Sequence, residues 1–406
     1  MNEFLRRTIK LYVWIGSWPI NGAPRLIENL RYAAGLLVVI SISIMNGFQY
    51  FDLYMHWGNW KHFAENAYLF FAYTCVIGET FVFYSRRDEI ISLSEKITSY
   101  ENEILLEESD SEKVKLLRDG QRKSKFINSF LWLFMFMIIV YMVTWPMIRM
   151  IIFGDYDSRI LPIPVQYPFS LNSTENFAAV YLSDVMIEFL VTIHSLAFDS
   201  LFVAYIFFAL ARLKILQYSI EQLPLTAQRK LMILTENRED FITAPVWRKT
   251  LEMIFQEELK KCIQEHQKII AFCKTVDSLL SPVLFGVFIT YSMIICLLLF
   301  HLLMTGLSTD VLQPGQILMF SLLTLFRYYW CGDELTNEAL KIGESVLGIN
   351  WYDFGKINAK TIMSMVLRSQ KPIYLTVGKF YMVTLETYLS LLSSAYSYFA
   401  LMKQFM

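Results

Sequence analysis

Charge is what this chain has least of. Lysine, arginine, aspartate and glutamate make up 18% of its residues, against ~25% in soluble domains. So little charge cannot solvate a large surface. With 55% hydrophobic residues and a mean hydropathy of +0.39, the chain reads as a membrane protein of several spans. Cysteine is scarce too. The five residues, Cys75, Cys262, Cys273, Cys296 and Cys331, have no CxxC or metal-ligand spacing, and all fall in spans or in segments expected in the cytosol. A disulfide framework is therefore not expected. HExxH, GxSxG, a Walker loop and clustered Cys/His are all missing. Enzyme chemistry, a cofactor, a metal and a nucleic-acid partner are accordingly not expected. The opening MNEFLRRTIKLYVW lacks an apolar core followed by a small-residue cleavage site, so no cleaved signal is expected. No Gly/Ser linker, low-complexity run or internal repeat divides the chain, which reads as one domain, 1–406.

What is present is a series of seven apolar stretches, at 33–54, 64–84, 126–153, 177–211, 276–304, 311–331 and 380–405. Lysine and arginine are distributed unevenly between them. The N-terminal segment carries five, and the second–third, fourth–fifth and sixth–seventh connections carry nine, eleven and seven. The alternate connections carry one, two and none, and the tail carries one, so 32 of the 36 positive residues lie on one side. The positive-inside rule then predicts an all-α fold of seven transmembrane helices, N-terminus cytosolic and C-terminus extracellular. The sequon Asn172-Ser173-Thr174 lies in a connection that this topology makes external, which makes Asn172 a candidate glycosylation site. The fourth stretch covers 35 residues, ~52 Å as a helix, and exceeds the hydrocarbon thickness. It is expected to continue into the cytosol. In the loop beyond it, Leu251, Ile254, Leu259, Ile263, Ile269 and Ile270 recur at helical spacing between charges. Extensions of spans four, five and six are thus expected to bundle below the membrane, with cytosolic parts at about 205–275 and 332–379; a solvated helix is the simpler alternative.

The last stretch carries a polar line. Thr387, Ser390, Ser394, Ser397 and Gln404 share one helix face, and the gap in the line is Leu401. Such a face fits a water pathway with one hydrophobic constriction, or serines that let helices pack closely. Spacing leaves both open. Carboxylates also occur inside spans: Glu65, Glu79, Asp184, Glu188, Asp199 and Glu386. Asp184 and Glu188 lie four apart, with His194 deeper, and internal hydrogen bonding is the plainer reading beside a proton relay. Aromatic and methionine side chains crowd spans two, three, four and six, including Phe71 and Tyr181. The candidate ligand-binding set is Phe70, Tyr73, Thr74, Met137, Tyr141, Thr144, Trp145, Val185, Met186, Phe189, Gln316, Met319 and Phe320. It suits an apolar cavity for a small lipophilic molecule, though lipid-facing surface has the same composition. Pro146 is expected to kink span three.

The region 331–404 resembles insect odorant receptors. The resemblance rests on CGDELTNEALKIGESV (331–346), RSQKP (368–372), GKFY (378–381) and SYFALMKQF (397–405), in that order. It implies a ligand-gated, non-selective cation channel of four subunits around one pore, with the last helix of each in the wall and a cytosolic anchor between subunits. It also implies that Leu401 is the hydrophobic gate, that Gln404 lies at the outer mouth, and that the odorant pocket lies in the outer halves of spans two, three, four and six. On the same basis 334–347 is the cytosolic half of a divided seventh helix. The chain departs from the family pattern at Val346 and Leu347, where many members carry a tyrosine, and lacks the proline that often follows the Trp-Tyr pair at 351–352. The fourth–fifth connection is shorter than in the family's shared coreceptor. This implies an odorant-binding tuning subunit, partnered by the coreceptor in a heterotetramer in the plasma membrane of olfactory neurons. A gustatory-type channel is the nearest alternative. A G-protein-coupled heptahelical receptor would need an external N-terminus and DRY and NPxxY elements; a transporter would need inverted repeats.

Overall fold

A computed structural model describes residues 3–20, 24–106, 111–153, 160–163, 165–167, 169, 171, 173–235, 244–305 and 311–404. The described chain is almost wholly helical. Its helices are α1 (Arg6–Ile15), α2 (Arg25–Met55), α3 (Trp60–Ser85), α4 (Arg87–Leu106), α5 (Ser111–Phe153), α6 (Thr174–Glu221), α7 (Leu223–Thr235), α8 (Ala244–Thr305), α9 (Leu312–Leu347), α10 (Lys356–Ser369) and α11 (Leu385–Gln404). A two-stranded hairpin, β1 (Thr376–Val377) and β2 (Tyr381–Met382), separates α10 from α11.

The first five apolar stretches each lie within one helix and the last two lie largely within α9 and α11, but among the described residues five helices alone are long and apolar enough to cross a membrane by length and composition. These are α2, α3, α5, α6 and α8. α9 and α11 miss that criterion for a compositional reason: α9 carries Gln313, Gln316 and Arg327, and α11 carries the serine line and Glu386. At 20 residues α11 is ~30 Å long, enough to cover a hydrocarbon core.

Two expectations need correction. The last helix begins at Leu385 rather than at 380, because residues 376–382 form the hairpin. Its turn needs left-handed backbone at Gly378 (φ +58°) and Lys379 (φ +65°), and a Cβ at Gly378 would come within 2.8 Å of the Phe285 ring. The hairpin is bolted to α8. Asp277 Oδ1 accepts from Thr376 N at 2.6 Å and from Thr376 Oγ1 at 2.9 Å, and Ser281 O accepts from Gly378 N at 3.0 Å. The hairpin therefore sets where α11 starts. The second correction concerns 334–347. It is the continuation of α9, unbroken from Leu312, and α10 is the separate helix that precedes the hairpin.

Three of the helices run well beyond their apolar stretches. α6 runs for 48 residues, α8 for 62 and α9 for 36. At one end of the molecule they are joined by specific polar contacts. Arg212 donates from Nε to Glu265 Oε1 at 3.0 Å, and its guanidinium lies 4.5 Å from the Tyr100 ring centroid. Lys230 pairs with Glu258 at 2.7 Å, linking α7 to α8. Burial raises the Glu258 carboxyl, but hydrogen bonds from Lys230 and Lys261 outweigh it and hold that group below its usual range. Gln217 Nε2 donates to Glu338 O at 2.9 Å, and Phe255 stacks on Phe354 at 4.0 Å.

One close approach fixes α11 against α9. A Cβ on Gly332 would lie 2.5 Å from the carbonyl oxygen of Val383, which is backbone and cannot swing away. Gly332→Ala is therefore expected to lower stability by about 1–3 kcal/mol through overpacking, although alanine ordinarily favours a helix over glycine by about 1 kcal/mol. Gly47→Ala on α2 meets nothing within 4 Å and should be neutral or stabilising. Thermal unfolding of the two variants in detergent distinguishes a packing role from helix propensity; equal midpoints would refute the packing role.

Candidate functional site

The helices enclose an apolar cavity of about 100 Å³. Its wall is built from turns of five helices: Tyr68, Leu69, Ala72, Tyr73, Cys75, Val76 and Glu79 of α3; Met135, Ile138 and Met142 of α5; Glu188, Val191, Thr192 and Ser195 of α6; Tyr291 and Ile294 of α8; and Ile317, Phe320 and Ser321 of α9. On α3 the lining runs from Tyr68 to Glu79, a rise of ~16 Å. The wall carries few polar atoms. Tyr73 donates to Glu188 Oε1 at 2.7 Å, and Ser321 Oγ donates back to Ile317 O at 2.8 Å. Glu79 Oε2 and Thr192 Oγ1 are buried without a hydrogen-bond partner among the described residues. An apolar ligand with one or two polar atoms could be held there.

Of the thirteen ligand-binding candidates, Tyr73 and Phe320 are in this wall. Phe70, Tyr141, Trp145, Val185 and Gln316 are half-buried elsewhere. Tyr141 stacks on Trp145 at 5.6 Å, and Phe70 meets Phe71 edge-on at 5.5 Å. Thr74, Met137, Thr144, Met186, Phe189 and Met319 are exposed on the protomer, and Thr74 Oγ1 accepts from Asn46 at 3.1 Å. On α3, α5 and α6 the cavity face is thus displaced by a residue or two from the expected one. α5 is an uninterrupted helix through Pro146, and Tyr181 donates to Val143 O beside it at 2.5 Å.

Ile163 and Val165 are buried among Tyr68, Leu69 and Tyr73, and Tyr167 donates to Asp184 Oδ1 at 2.5 Å. Asp184 and Glu188 are therefore hydrogen-bonded inside the bundle. Asn172 lies outside the described residues; Ser173 of its sequon caps α6, accepting from Asn176 N at 3.2 Å. Deeper in the bundle Asp199 receives a hydrogen bond from Tyr328, and Arg327 Nη2 lies 2.8 Å from Asp199 Oδ1, an ion pair without an aligned N–H bond. Arg327, counted above with the inner connection, is buried on α9.

On α11 the polar line faces away from the protomer. Ser390, Ser394, Ser397, Leu401 and Gln404 are exposed, while Leu391 and Ala395 are buried against the rest of the chain. Each serine hydroxyl donates within its own helix, to Glu386 O at 3.1 Å, Ser390 O at 2.9 Å and Ser393 O at 2.8 Å. All five cysteines are buried and free. The turn between α2 and α3 brings together Asp52, His56 and His62, a group of metal-ligating type that spacing alone did not single out.

A sequence model of the family described as "7tm Odorant receptor" matches residues 59–396. The chain belongs to the odorant receptor family. It is 26% identical to Odorant receptor Or2 of Anopheles gambiae, covering 98% of this receptor and 97% of that one. It is 23% identical to Odorant receptor 10 of Aedes albopictus over 93% and 92% of the two chains. The solved insect olfactory receptor OR5 of Machilis hrabei, in complex with eugenol, aligns over 100% of this receptor and 98% of that chain, with a TM-score of 0.79 at 16% identity. That likeness shows the fold. The family is one of receptors rather than enzymes.

Proposed function

We propose that this receptor is the odorant-binding, tuning subunit of a ligand-gated, non-selective cation channel. In this reading it crosses the plasma membrane of olfactory neurons seven times as a single domain, N-terminus cytosolic and C-terminus outside. It assembles with the coreceptor into a heterotetramer. The observation that carries the channel reading is the division of α11 into two faces: Leu391 and Ala395 pack inward, whereas Ser390, Ser394, Ser397, Leu401 and Gln404 have no cover from their own chain. A helix that displays a line of hydroxyls, broken by Leu401, to the outside of its protomer suits a pore wall with a hydrophobic collar at Leu401. The extended α6–α9 bundle, with α10 against it, supplies the cytosolic anchor, and Asn172 is the glycan acceptor.

A small lipophilic odorant occupies the cavity between α3, α5, α6, α8 and α9. The complex of the similar Machilis receptor with eugenol supports a ligand of small-molecule size. Both α8 and α9 border the cavity and also hold α11, through the hairpin on α8 and through Gly332 on α9. An odorant that binds one arrangement of these helices more tightly shifts the population toward it, and by no more than its differential affinity. A small outward movement at Leu401 then wets the collar.

Leu401→Ser is expected to raise basal current several-fold in the assembled channel, because a hydroxyl removes the dewetting barrier. Voltage-clamp recording of cells that also express the coreceptor measures it. Unchanged basal current and permeation would remove the gate role.

A further inference from the structure

The sequence Asp52-x3-His56-x5-His62 spans the turn from α2 to α3, and folding collapses it to a point. Asp52 is buried, with 1% of its surface exposed, at the end of α2. His62 Nε2 lies 2.8 Å from its Oδ2, and His56 Nδ1 lies 3.4 Å from its Oδ1. The imidazole centroids are 4.1 Å apart. We propose that Asp52, His56 and His62 form a binding site for a divalent transition-metal ion of the zinc class.

The donor set is the first reason. Two imidazole nitrogens and one carboxylate make the nitrogen–oxygen set that zinc takes, with bonds of ~2.0–2.2 Å. The three ligand atoms already lie within 4.8 Å of one another, so modest side-chain rotation closes them on one ion. The second reason is the support behind the carboxylate. Asn66 Nδ2 donates to Asp52 Oδ2, and the backbone N–H of Gln166 donates to Oδ1 at 3.1 Å. Metal-binding carboxylates are held in this way by outer hydrogen bonds. Both histidines are partly exposed, which leaves an approach path and a fourth position for water. The competing arrangement is a plain hydrogen-bonded helix end in which His62 donates to Asp52. It also engages His56, whose Nδ1 lies 3.0 Å from the Asp52 backbone carbonyl oxygen, so zinc binding exchanges that hydrogen bond for a metal bond. Because Asp52 also holds Gln166, the ion would tie the α2–α3 turn to the segment whose Ile163 and Val165 share an apolar cluster with Tyr68 and Tyr73.

Zinc chloride is the probe, and the full-length receptor purified in detergent is the sample. Wild type is expected to bind one zinc per chain in competition with a chromophoric chelator, and to unfold at a higher temperature with zinc present. His56→Gln/His62→Gln leaves Asp52 in place with a donor to satisfy it, so the metal-free variant should unfold near wild type. Its zinc affinity should fall at least ~10-fold, and the zinc-dependent shift in unfolding should vanish. A second variant, His56→Cys, keeps three donors and should move preference from zinc toward cadmium, the softer ion. The proposal is overturned if wild type binds no zinc, if the double variant binds it as tightly, or if His56→Cys leaves the zinc-to-cadmium ratio unchanged.

Discussion

Arg327→Leu is expected to leave little folded receptor. Arg327 and Asp199 each expose 5% of their side chains, and they face each other across α9 and α6. Removing the guanidinium leaves a buried carboxylate whose hydrogen bond among the described residues comes from the Tyr328 hydroxyl. Breaking a buried pair from one side costs about 3–5 kcal/mol, a large share of the about 5–15 kcal/mol that stabilises a typical native protein. The cost lies in the stranded charge rather than in the pair, so the double variant Asp199→Asn/Arg327→Leu should recover much of it. Asparagine still offers Tyr328 a carbonyl. The measurement is the yield of monodisperse receptor in detergent and its thermal unfolding, read as a double-mutant cycle. Should Arg327→Leu unfold like wild type, or should the double variant be no better than the single one, the pair is not a structural tie.

Arg327 also marks where a sequence reading runs out. A lone arginine near the end of an apolar stretch looks like the start of a polar connection; Leu335, Ala339, Ile342 and Val346 keep a helical period beyond it, but that period does not say that the helix runs unbroken from Leu312. The helices themselves were legible, because ~20 apolar residues have few other uses. The start of α11 was not. Phe380–Val383 is apolar enough to read as helix, and the turn at Gly378 and Lys379 that makes it a strand depends on docking to Asp277 and Ser281, about a hundred residues away.

The faces were harder than the helices. In a soluble protein an apolar side chain marks the inside, but a bilayer is as apolar as a protein core, so that contrast is lost. Met137, Met186 and Phe189 are large and apolar, yet they are exposed on the protomer. The informative residues were the polar ones, since a carboxylate in a span turns away from lipid. Glu188 lines the cavity, and its helical neighbours Val191, Thr192 and Ser195 do as well. Glu79 does the same on α3, where Ala72, Cys75 and Val76 share its face. Reading outward from Glu79 and Glu188 locates a wall of which the aromatic and methionine clusters pick out Tyr73 and Phe320.

That wall predicts the second large effect. Ala72→Trp brings an indole to a wall position of a cavity of about 100 Å³, and the space cannot hold both that ring and an odorant. Overpacking costs about 1–3 kcal/mol, which a bundle of this size can absorb, so the receptor should still reach the cell surface. The odorant response should weaken far more. Losing even 1.4 kcal/mol of ligand binding is tenfold in affinity, and exclusion removes more than that, so the half-maximal concentration should rise at least ~10-fold. Met186→Ala is the contrasting variant: Met186 is exposed, outside the wall, and its loss should leave odorant sensitivity within about twofold by the same argument. Concentration–response curves on cells expressing either variant with the coreceptor, normalised to surface protein, decide between the two faces of the bundle. Preserved sensitivity in Ala72→Trp with loss in Met186→Ala would move the odorant out of this cavity, to the face that carries the exposed aromatic and methionine side chains.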